Sequence, residues 1–592
     1  MPDYRVDIHD PHAHLFRVTL SLADPAAGGE TLMLPAWIPG SYMIREFAKN
    51  IVSLRARQGT RAIALEKLDK HSWRTAPLDP RAALEVEALI YAWDLSVRCA
   101  HLDASHAFFN GTQMFLCVAG RAHETHRVDI ARPDGAAFAD WKVATTLPAA
   151  RGRGRVDKAG FGLREARDYD SLIDHPVEIG TWQSVKFEAA GVPHEMVVTG
   201  RARFDAQRLA TDLKAVCESV IAHFGAPPPF ARYLFLTMAV GEGYGGLEHR
   251  DSTALLCSRN DLPAPGEAAR SEAYRGFLGL CSHEYFHAWN VKRIKPAAFT
   301  PYRLERENHT RLLWVFEGFT SYYDDLALVR GGLISETEYL ALLAKTITAV
   351  ERNPGRLRQS LAESSFDAWT KYYRQDENSP NAIVSYYQKG ALVALGLDLV
   401  IRARSAGSRS LDDVMRHLWT HYGEGSGGLP EGAMAEVIRA ATGLDLRREL
   451  ARWVDGVEDV PLARLFKPLG IALARRPGAR ATGLGVRTRA EGNALRLAHV
   501  IAGGSAQAAG LSAGDELVAL GGLRVTAGNL EALLARHAPG NVLEILAFRR
   551  DELIHATPVL DPPRAEECAL GLRADEAAEA QRQAWLRKRP LR

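Results

Sequence analysis

The sequence predicts an α+β protein of several domains, and three observations support this prediction. The chain has 592 residues, which is enough for three or four units of ordinary domain size. Its first part alternates apolar with polar residues, as half-buried strands do, whereas its middle part has long apolar patterns at helical spacing. A polar, glycine-rich stretch near residues 475–483 then precedes a last group of short strands, as a linker does.

Composition places the chain among ordinary globular proteins. Its net charge is only +2, from 73 basic and 71 acidic residues, so no strong positive field favours nucleic acid or an anionic membrane. The sequence has no run of 18 apolar residues. Its N-terminus also lacks the basic and then apolar pattern of a secretory signal. We therefore expect a cytoplasmic protein without nucleic-acid or membrane partners, and the composition leaves the oligomeric state open.

The cysteines give no sign of a disulfide framework or of a thiolate metal site. None of them forms a CxxC pair, so reduced thiols are the simpler interpretation. The six are Cys99, Cys117, Cys217, Cys257, Cys281 and Cys568.

A β-rich N-terminal domain is predicted over residues 1–170. HLFRVTLSL (14–22) and ALEVEALIYAW (83–93) show the alternation and the β-branched and aromatic residues of strands. Turn-formers at Pro39-Gly40 and Asn110-Gly111 separate such segments. This pattern favours an antiparallel sandwich or saddle.

A domain that mixes strands and helices is predicted over residues 171–330. RYLFLTMAV (232–240) predicts a buried strand, and FLGLCSHEYFHAWNV (277–291) has apolar residues at helical spacing. HTRLLWVFEGFTSYYDDLALV (309–329) is a second long helical pattern.

The rest of the chain divides into three further segments. A helical domain is predicted over 331–472, and VSYYQKGALVALGLDLVI (384–401) is its clearest helix. Short strands and turns follow over 478–562. The segment 563–592 is charged and alanine-rich, and we expect a tail that forms a loose helix.

The motif His283-Glu284-Tyr285-Phe286-His287 predicts a zinc hydrolase. On a helix, positions i and i+4 share one face, so the two imidazoles can bind the same ion. Glu284 lies beside them, where it can take a proton from water. Two imidazoles and one carboxylate suit zinc and leave a fourth coordination position open.

Glu317 is the candidate third ligand. It lies in the apolar run Trp314–Phe319, where a carboxylate needs a compensating partner because burying its charge alone is costly. Glu305 and Glu307 are alternatives, but their polar surroundings predict a solvated loop.

Two segments now support a resemblance to a known family. HEYFHAWNVKRIKP (283–296) followed by WVFEGFTSYY (314–323) resembles the glycyl aminopeptidase family of thermolysin-like, or gluzincin, zinc metallopeptidases. The connection from His287 to Glu317 is longer than in the related leucyl and alanyl aminopeptidases, which favours the glycyl branch. The resemblance implies a thermolysin-like catalytic domain, one zinc ion per chain and a preference for N-terminal glycine or alanine.

GEGYGGLEHRDST (241–253) resembles the glycine-rich motif of these aminopeptidases. The resemblance implies that Gly245 and Gly246 belong to an edge strand that pairs with the substrate backbone, and that Glu248 binds the substrate's α-amine. A fixed negative charge in a desolvated cleft would discriminate strongly against blocked N-termini. The alternative is a glycine-rich hairpin with a surface glutamate.

SYYQKGA (385–391) resembles a further segment of the same relatives, whose tyrosine stabilises the oxyanion of the tetrahedral intermediate. This implies that role for Tyr387, and a phenol is a suitable neutral donor. The adjacent Tyr386 is the alternative.

Two N-terminal segments, PAWIPGSYMIREFAKNI (35–51) and DYDSLIDHPVEIG (168–180), also resemble the family, although their residues alone suggest no chemical role. The resemblance therefore extends over roughly the first 470 residues. Downstream, GGSAQAAGLSAGDELVALGG (503–522) resembles a bacterial PDZ domain, with Gly483–Val486 as its carboxylate-binding loop. Its groove either binds a peptide by strand addition or is filled by the protein itself.

Together these features predict a zinc-dependent aminopeptidase that hydrolyses the N-terminal bond of peptide substrates. One alternative is a zinc endopeptidase that uses the same residues and lacks an amine anchor. A less favoured alternative is a peptide-binding scaffold whose peptidase domain is inactive.

Overall fold

A computed structural model describes residues 1–152 and 155–587, and it has the expected multidomain α+β architecture. A β-rich N-terminal region comes first, as the alternating segments predicted. The end of the predicted tail, residues 588–592, lies outside the described residues. Among the described helices, none is long and apolar enough to cross a membrane.

The N-terminal region forms three sheets. One has seven strands in the order β14-β12-β1-β2-β8-β4-β5, and two have four strands, β13-β15-β10-β9 and β11-β3-β7-β6. Pairing is antiparallel except between β1 and β12, which are parallel. The strands are β1 (Pro2–Asp10), β2 (Leu15–Leu22), β3 (Thr31–Met33), β4 (Ile51–Gln58), β5 (Arg61–Ile63), β6 (Leu65–Lys67), β7 (Ser72–Thr75), β8 (Leu84–Tyr91), β9 (Ala100–Leu102), β10 (His106–Phe109), β11 (Cys117–Val118), β12 (His126–Ile130), β13 (Lys142–Ala144), β14 (Gly162–Ala166) and β15 (Val177–Gly180), with short helices α1 (Gly111–Met114) and α2 (Tyr169–Ile173).

A five-stranded sheet with the order β16-β17-β18-β20-β19 follows. Strands β17, β18 and β20 are parallel, and β19 is an antiparallel edge strand. Helices α3 and α4 pack against each other and against this sheet, and Ser271 caps α4 by accepting a hydrogen bond from the Tyr274 amide. The elements are β16 (Gln183–Ala189), β17 (Val192–Thr199), β18 (Tyr233–Val240), β19 (Tyr244–Glu248), β20 (Ser252–Ser258), α3 (Ala206–Phe224) and α4 (Glu272–Phe286).

Helices fill the next part of the chain, as predicted. The pattern over 309–329 forms two helices rather than one, and the break between them lies at Glu317. The helices are α5 (Leu313–Phe316), α6 (Gly318–Arg330), α7 (Glu336–Glu351), α8 (Leu361–Phe366), α9 (Ser379–Ala382), α10 (Gln388–Arg404), α11 (Leu411–Tyr422), α12 (Met434–Thr442), α13 (Arg447–Leu450) and α14 (Leu462–Leu465).

The C-terminal module contains a six-stranded sheet with the path β22-β23-β24-β26-β27, to which β25 adds through β24. Two short helices pack beside it, and the module has its own core. Its elements are β22 (Val486–Glu491), β23 (Ala494–Val500), α15 (Ser505–Ala508), β24 (Glu516–Leu520), β25 (Leu523–Arg524), α16 (Leu530–Leu534), β26 (Ile545–Arg549) and β27 (Glu552–Ala556).

The segment expected to be a loose tail is instead part of the fold. Strand β28 (Glu567–Leu572) pairs antiparallel with β21 (Ile471–Arg476), and helix α17 (Glu576–Leu586) follows. The Trp585 side chain is fully buried, and its indole N–H donates to the Tyr322 hydroxyl at 2.9 Å. Arg582 of the same helix is buried as well and pairs with Glu336, so the helix packs firmly although its charged, alanine-rich composition predicted little packing. The described cysteines form no disulfide, as expected.

Candidate active site

Helix α4 presents two histidines at one end. His283 lies in its last turn, and His287 follows as the C-terminal cap. Their ring centroids are 4.6 Å apart, with the ring planes nearly perpendicular. The spacing of four residues therefore places both imidazoles on one face, as the motif predicted.

Glu317 faces these two rings from the break between α5 and α6. Its Oε2 atom lies 3.3 Å from Nε2 of His287 and 3.7 Å from Nε2 of His283. Burial alone would raise the pKa of this carboxyl, but the charge of His287 and hydrogen bonds from both histidines lower it to about 2. The three side chains can therefore hold one metal ion. Glu305 and Glu307 are exposed and take no part in this group.

The tautomers of both histidines suit a metal site. Nδ1 of His287 donates to the carbonyl of Asn290 at 2.7 Å, and Nδ1 of His283 faces Oδ2 of Asp324 at 3.0 Å. With Nδ1 occupied in each ring, Nε2 is the nitrogen that each imidazole, once neutral, can offer to a metal ion. Two imidazole nitrogens and one carboxylate oxygen are the donor set that zinc prefers, so these residues fit a zinc ion.

Two contacts bring the helices of this group together. The Asn290 side-chain amide donates to the carbonyls of Val315 and Phe316, which ties the end of α4 to the turn before Glu317. Gly318 of α6 and Gly390 of α10 touch, because a β-carbon at Gly318 would lie 2.6 Å from the α-carbon of Gly390. This close approach brings the start of α10 beside Glu317.

Glu284 is buried next to the two histidines. Its Oε2 atom has no hydrogen-bond partner among the described residues. Burial is the largest influence on this carboxyl and raises its pKa to about 7. Strand β19 runs directly against it, and a β-carbon at Gly246 would overlap Oε1 of Glu284. Glycine at position 246 therefore allows the edge strand to approach this carboxylate.

Glu248 lies at the end of the same edge strand. Its side chain is 3% exposed, and its Oε1 atom is buried without a partner. A loop of the N-terminal region covers it, because a β-carbon at Gly40 would lie 2.5 Å from Oε2 of Glu248. Gly40 has a φ of +96°, which favours glycine, so the loop can bring its backbone against Glu248.

Tyr387 and Tyr386 have different surroundings. Tyr387 lines the cleft, and its hydroxyl lies 3.2 Å from the hydroxyl of Tyr373. Burial and then the nearby Glu317 raise the pKa of Tyr387 well above 10, so the phenol stays protonated. Tyr386 is fully buried behind it, and its hydroxyl has no partner among the described residues. Of the two tyrosines, only Tyr387 faces the cleft.

All of the predicted site residues line one open cleft of about 490 Å³. Its lining combines the edge strand, the histidines of α4, the start of α10 and two positions from the N-terminal region. The lining residues are Gly40, Arg98, Tyr244, Gly245, Gly246, Glu248, Gly279, Leu280, His283, Glu284, His287, Glu317, Ser321, Asp324, Tyr372, Tyr373, Tyr387 and Gln388.

The N-terminal region supplies residues that the sequence did not single out. Tyr42 donates its hydroxyl proton to Oε1 of Glu317 at 2.9 Å, and Arg98 reaches the edge strand. Tyr42 and Gly40 both lie in the segment 35–51, whose family resemblance was the only available signal. No motif marked Arg98 or Asp324.

The second unassigned segment, 168–180, contributes a buried charge network. Asp174 pairs with Lys292 at 2.7 Å and with Arg250 at 2.9 Å, and it accepts a hydrogen bond from the His249 ring at 3.1 Å. These cations compensate its burial and hold its pKa well below the usual range. Asp174 thus joins the loop after α4 to the turn after the edge strand, and it fixes their relative positions.

Comparisons with known proteins identify a matching family and similar solved structures. The family model described as M61 glycyl aminopeptidase matches residues 276–393, and the Peptidase M61 N-terminal domain matches residues 3–181. An aminopeptidase N family protein from Idiomarina loihiensis has a similar structure, with 38% identity, a TM-score of 0.93, and coverage of 99% of this chain and 100% of that chain. An M1 zinc metallopeptidase from Deinococcus radiodurans aligns with 13% identity and a TM-score of 0.47, over 78% of this chain and 94% of its own. No curated protein matches the sequence significantly.

Proposed function

This chain belongs to the M61 glycyl aminopeptidase family and is an aminopeptidase, and we propose that it uses one zinc ion to remove small N-terminal residues from peptides. The observation that carries the proposal is the convergence of His283, His287 and Glu317 beside a buried, unpartnered Glu284. The same cleft holds a second unpartnered carboxylate, Glu248, which suits a positively charged substrate end.

We propose that His283, His287 and Glu317 hold the metal. When bound there, zinc supplies Lewis-acid polarisation of the scissile carbonyl and lowers the pKa of a water molecule. The Nδ1 contacts of both histidines support this role, because they fix the ring orientations before the ion arrives.

Glu284 acts as the general base in this proposal. Its carboxylate takes a proton from the attacking water and passes that proton to the nitrogen of the leaving amine. Burial raises the pKa of this carboxyl in the metal-free protein to about 7. The bound cation would lower this pKa and so favour the basic form.

Tyr387 donates its hydroxyl proton in a hydrogen bond to the carbonyl oxygen as negative charge develops there. The side chain lines the cleft within reach of the metal group, with its ring centroid 6.4 Å from that of His283. A phenol that stays protonated is a suitable donor. The buried position of Tyr386 makes it the weaker candidate.

Glu248 binds the α-ammonium group of the substrate. The close approach of Gly40 to Glu248 supports an exopeptidase over an endopeptidase, because it narrows the space beyond the position proposed for the amine. Gly245 and Gly246 present the edge strand along which the substrate backbone pairs. The preference for glycine or alanine follows from the family and is part of the proposal.

The assignment of the domains belongs to the same proposal. The five-stranded sheet with α4 is a thermolysin-like catalytic domain within residues 171–330, and a helical domain follows over 331–472. We assign the module over 478–562 as a PDZ domain. Its strand order and its separate core support this interpretation. We keep a cytoplasmic location and a peptide ligand for the PDZ groove as predictions.

One experiment tests the central proposal. Metal analysis of the purified protein is combined with turnover of alanyl and glycyl peptides, each with a free or an acetylated N-terminus. We expect one zinc per chain, much faster cleavage of the free peptides than of the acetylated ones, and loss of activity with retained zinc in Glu284→Ala. Equal cleavage of acetylated peptides would exclude the amine anchor, and a protein that neither binds zinc nor cleaves peptides would support the inactive scaffold.

A further inference from the structure

A single cationic side chain lines the otherwise acidic cleft. Glu248, Glu284, Glu317 and Asp324 contribute four carboxylates to it. Among the lining residues that the structure describes, Arg98 is the only lysine or arginine, and it comes from the N-terminal region. Arg98 forms no ion pair with any described residue, which is unusual for an arginine surrounded by so many acids.

The contacts of Arg98 leave most of its hydrogen-bonding capacity free. Nη2 donates to the carbonyl of Gly246 at 3.3 Å, a long bond, and the buried Nε has no partner within residues 1–152 and 155–587. Arg45 is a second guanidinium nearby, and burial together with the positive charge of Arg98 lowers its pKa. The N–H groups of Arg98 that lack a partner among the described residues can bind an anion in the cleft.

The position of Arg98 along the edge strand defines which anion fits. Gly246 precedes Glu248 by two residues on β19, and a strand rises about 3.4 Å per residue, so the two positions are about 7 Å apart. Consider a dipeptide whose amine binds Glu248 and whose backbone runs along the strand. Its C-terminal carboxylate lies two residues from the amine, which is about the same 7 Å. That carboxylate therefore falls beside Arg98.

We propose that Arg98 forms a subsite for a carboxylate of the substrate, so that the preferred substrates are short peptides with a positive and a negative group at this spacing. The inference rests on the proposed function, because Glu248 sets the position of the amine. The geometry favours the C-terminal carboxylate of a dipeptide as the ligand. A carboxylate could also come from an acidic side chain on the N-terminal residue of the substrate.

The test compares pairs of substrates that differ by one charge, using the full-length zinc-loaded protein. The first pair is alanyl-glycine and its C-terminal amide, and the second is glutamyl-glycine amide and glutaminyl-glycine amide. We expect kcat/KM of the wild type to be about tenfold to hundredfold higher for alanyl-glycine than for its amide. This ratio should fall to about one in Arg98→Gln and take an intermediate value in Arg98→Lys, which keeps the charge but loses the planar fork.

Arg45→Gln is the matched control, since Arg45 carries the same charge nearby but does not line the cleft. We expect this variant to keep the wild-type ratio. A purely structural role of Arg98 in holding the edge strand would slow both members of each pair equally, so the ratios separate the two roles. Zinc content and melting temperature show whether each variant is folded.

Each outcome of this test either identifies the carboxylate that Arg98 binds or excludes the subsite. If Arg98→Gln changes only the ratio of kcat/KM between glutamyl-glycine amide and glutaminyl-glycine amide, the ligand is the acidic side chain of the first residue. If the wild type cleaves both members of each pair equally well, the subsite is excluded without any variant. If the zinc-loaded wild type cleaves none of these substrates and no longer free peptide, the proposed aminopeptidase function fails instead.

Discussion

The two walls of the cleft are built in different ways. The metal-side wall, formed by His283, Glu284, His287 and Glu317, comes from neighbouring helices of one region. The amine-side wall joins Glu248 of the edge strand to Gly40 and Arg98 of the N-terminal region. The first wall follows from local helical spacing, whereas the second exists only when two regions pack together. Substitutions on the two walls should therefore affect different steps.

The largest expected effect tests the metal-side wall. Glu284→Gln removes the proposed base while keeping the size of the side chain, and we expect kcat to fall by about 10²- to 10⁴-fold for every substrate. Zinc content should stay at the wild-type level, whereas His287→Ala should lose both zinc and activity. Steady-state kinetics and metal analysis of the three proteins provide the check. Substantial activity in a zinc-loaded Glu284→Gln protein would assign the base to another residue.

The tyrosine pair gives a sharper test of the same wall. We expect Tyr387→Phe to lower kcat by about 10²- to 10³-fold, as the loss of one oxyanion donor does elsewhere. Tyr386→Phe is the matched control. Its buried hydroxyl has no hydrogen-bond partner in the described part of the chain, so removing it should leave kcat unchanged and stability equal or slightly higher. If Tyr386→Phe lowers kcat and Tyr387→Phe does not, Tyr386 is the oxyanion donor instead.

A substitution in the amine-side wall should slow cleavage of free peptides but not of N-acetylated ones. Glu248→Gln removes a buried charge, and we expect kcat/KM for free peptides to fall by roughly 30-fold or more, because losing one partner of a buried charge pair costs about 2–5 kcal/mol. Slow residual cleavage of an N-acetylated peptide should not change, so discrimination between free and blocked peptides should shrink. An equal loss for both peptides would mean that Glu248 supports the metal-side wall instead.

This difference between the walls also explains what the sequence could predict. The pair His283 and His287 follows from a spacing of four residues on one helix, and Glu317 stands out as a carboxylate in an apolar run. No motif marks Tyr42 or Asp174, because the role of each depends on a partner at least 75 positions away in the chain. Family resemblance pointed to their segments without giving a role. Trp585 was missed for the same reason, since its burial depends on Tyr322.

The smallest expected effect tests whether the two walls are independent. Tyr42 belongs to the N-terminal region, yet its hydroxyl donates to the proposed zinc ligand Glu317. We expect Tyr42→Phe to weaken zinc binding by about tenfold, as the loss of a hydrogen bond to a metal ligand does. The ring remains in place, so the fold should be kept. Competition with a chelator measures the zinc affinity directly.

Tyr386→Phe again serves as the control, because it removes a buried hydroxyl from the same tyrosine cluster without touching Glu317. If Tyr42→Phe weakens zinc binding and Tyr386→Phe does not, docking of the N-terminal region contributes to the metal site. The two walls are then coupled through one hydrogen bond. If both variants bind zinc as the wild type does, the metal-side wall is complete in itself, and Tyr42 only packs against it.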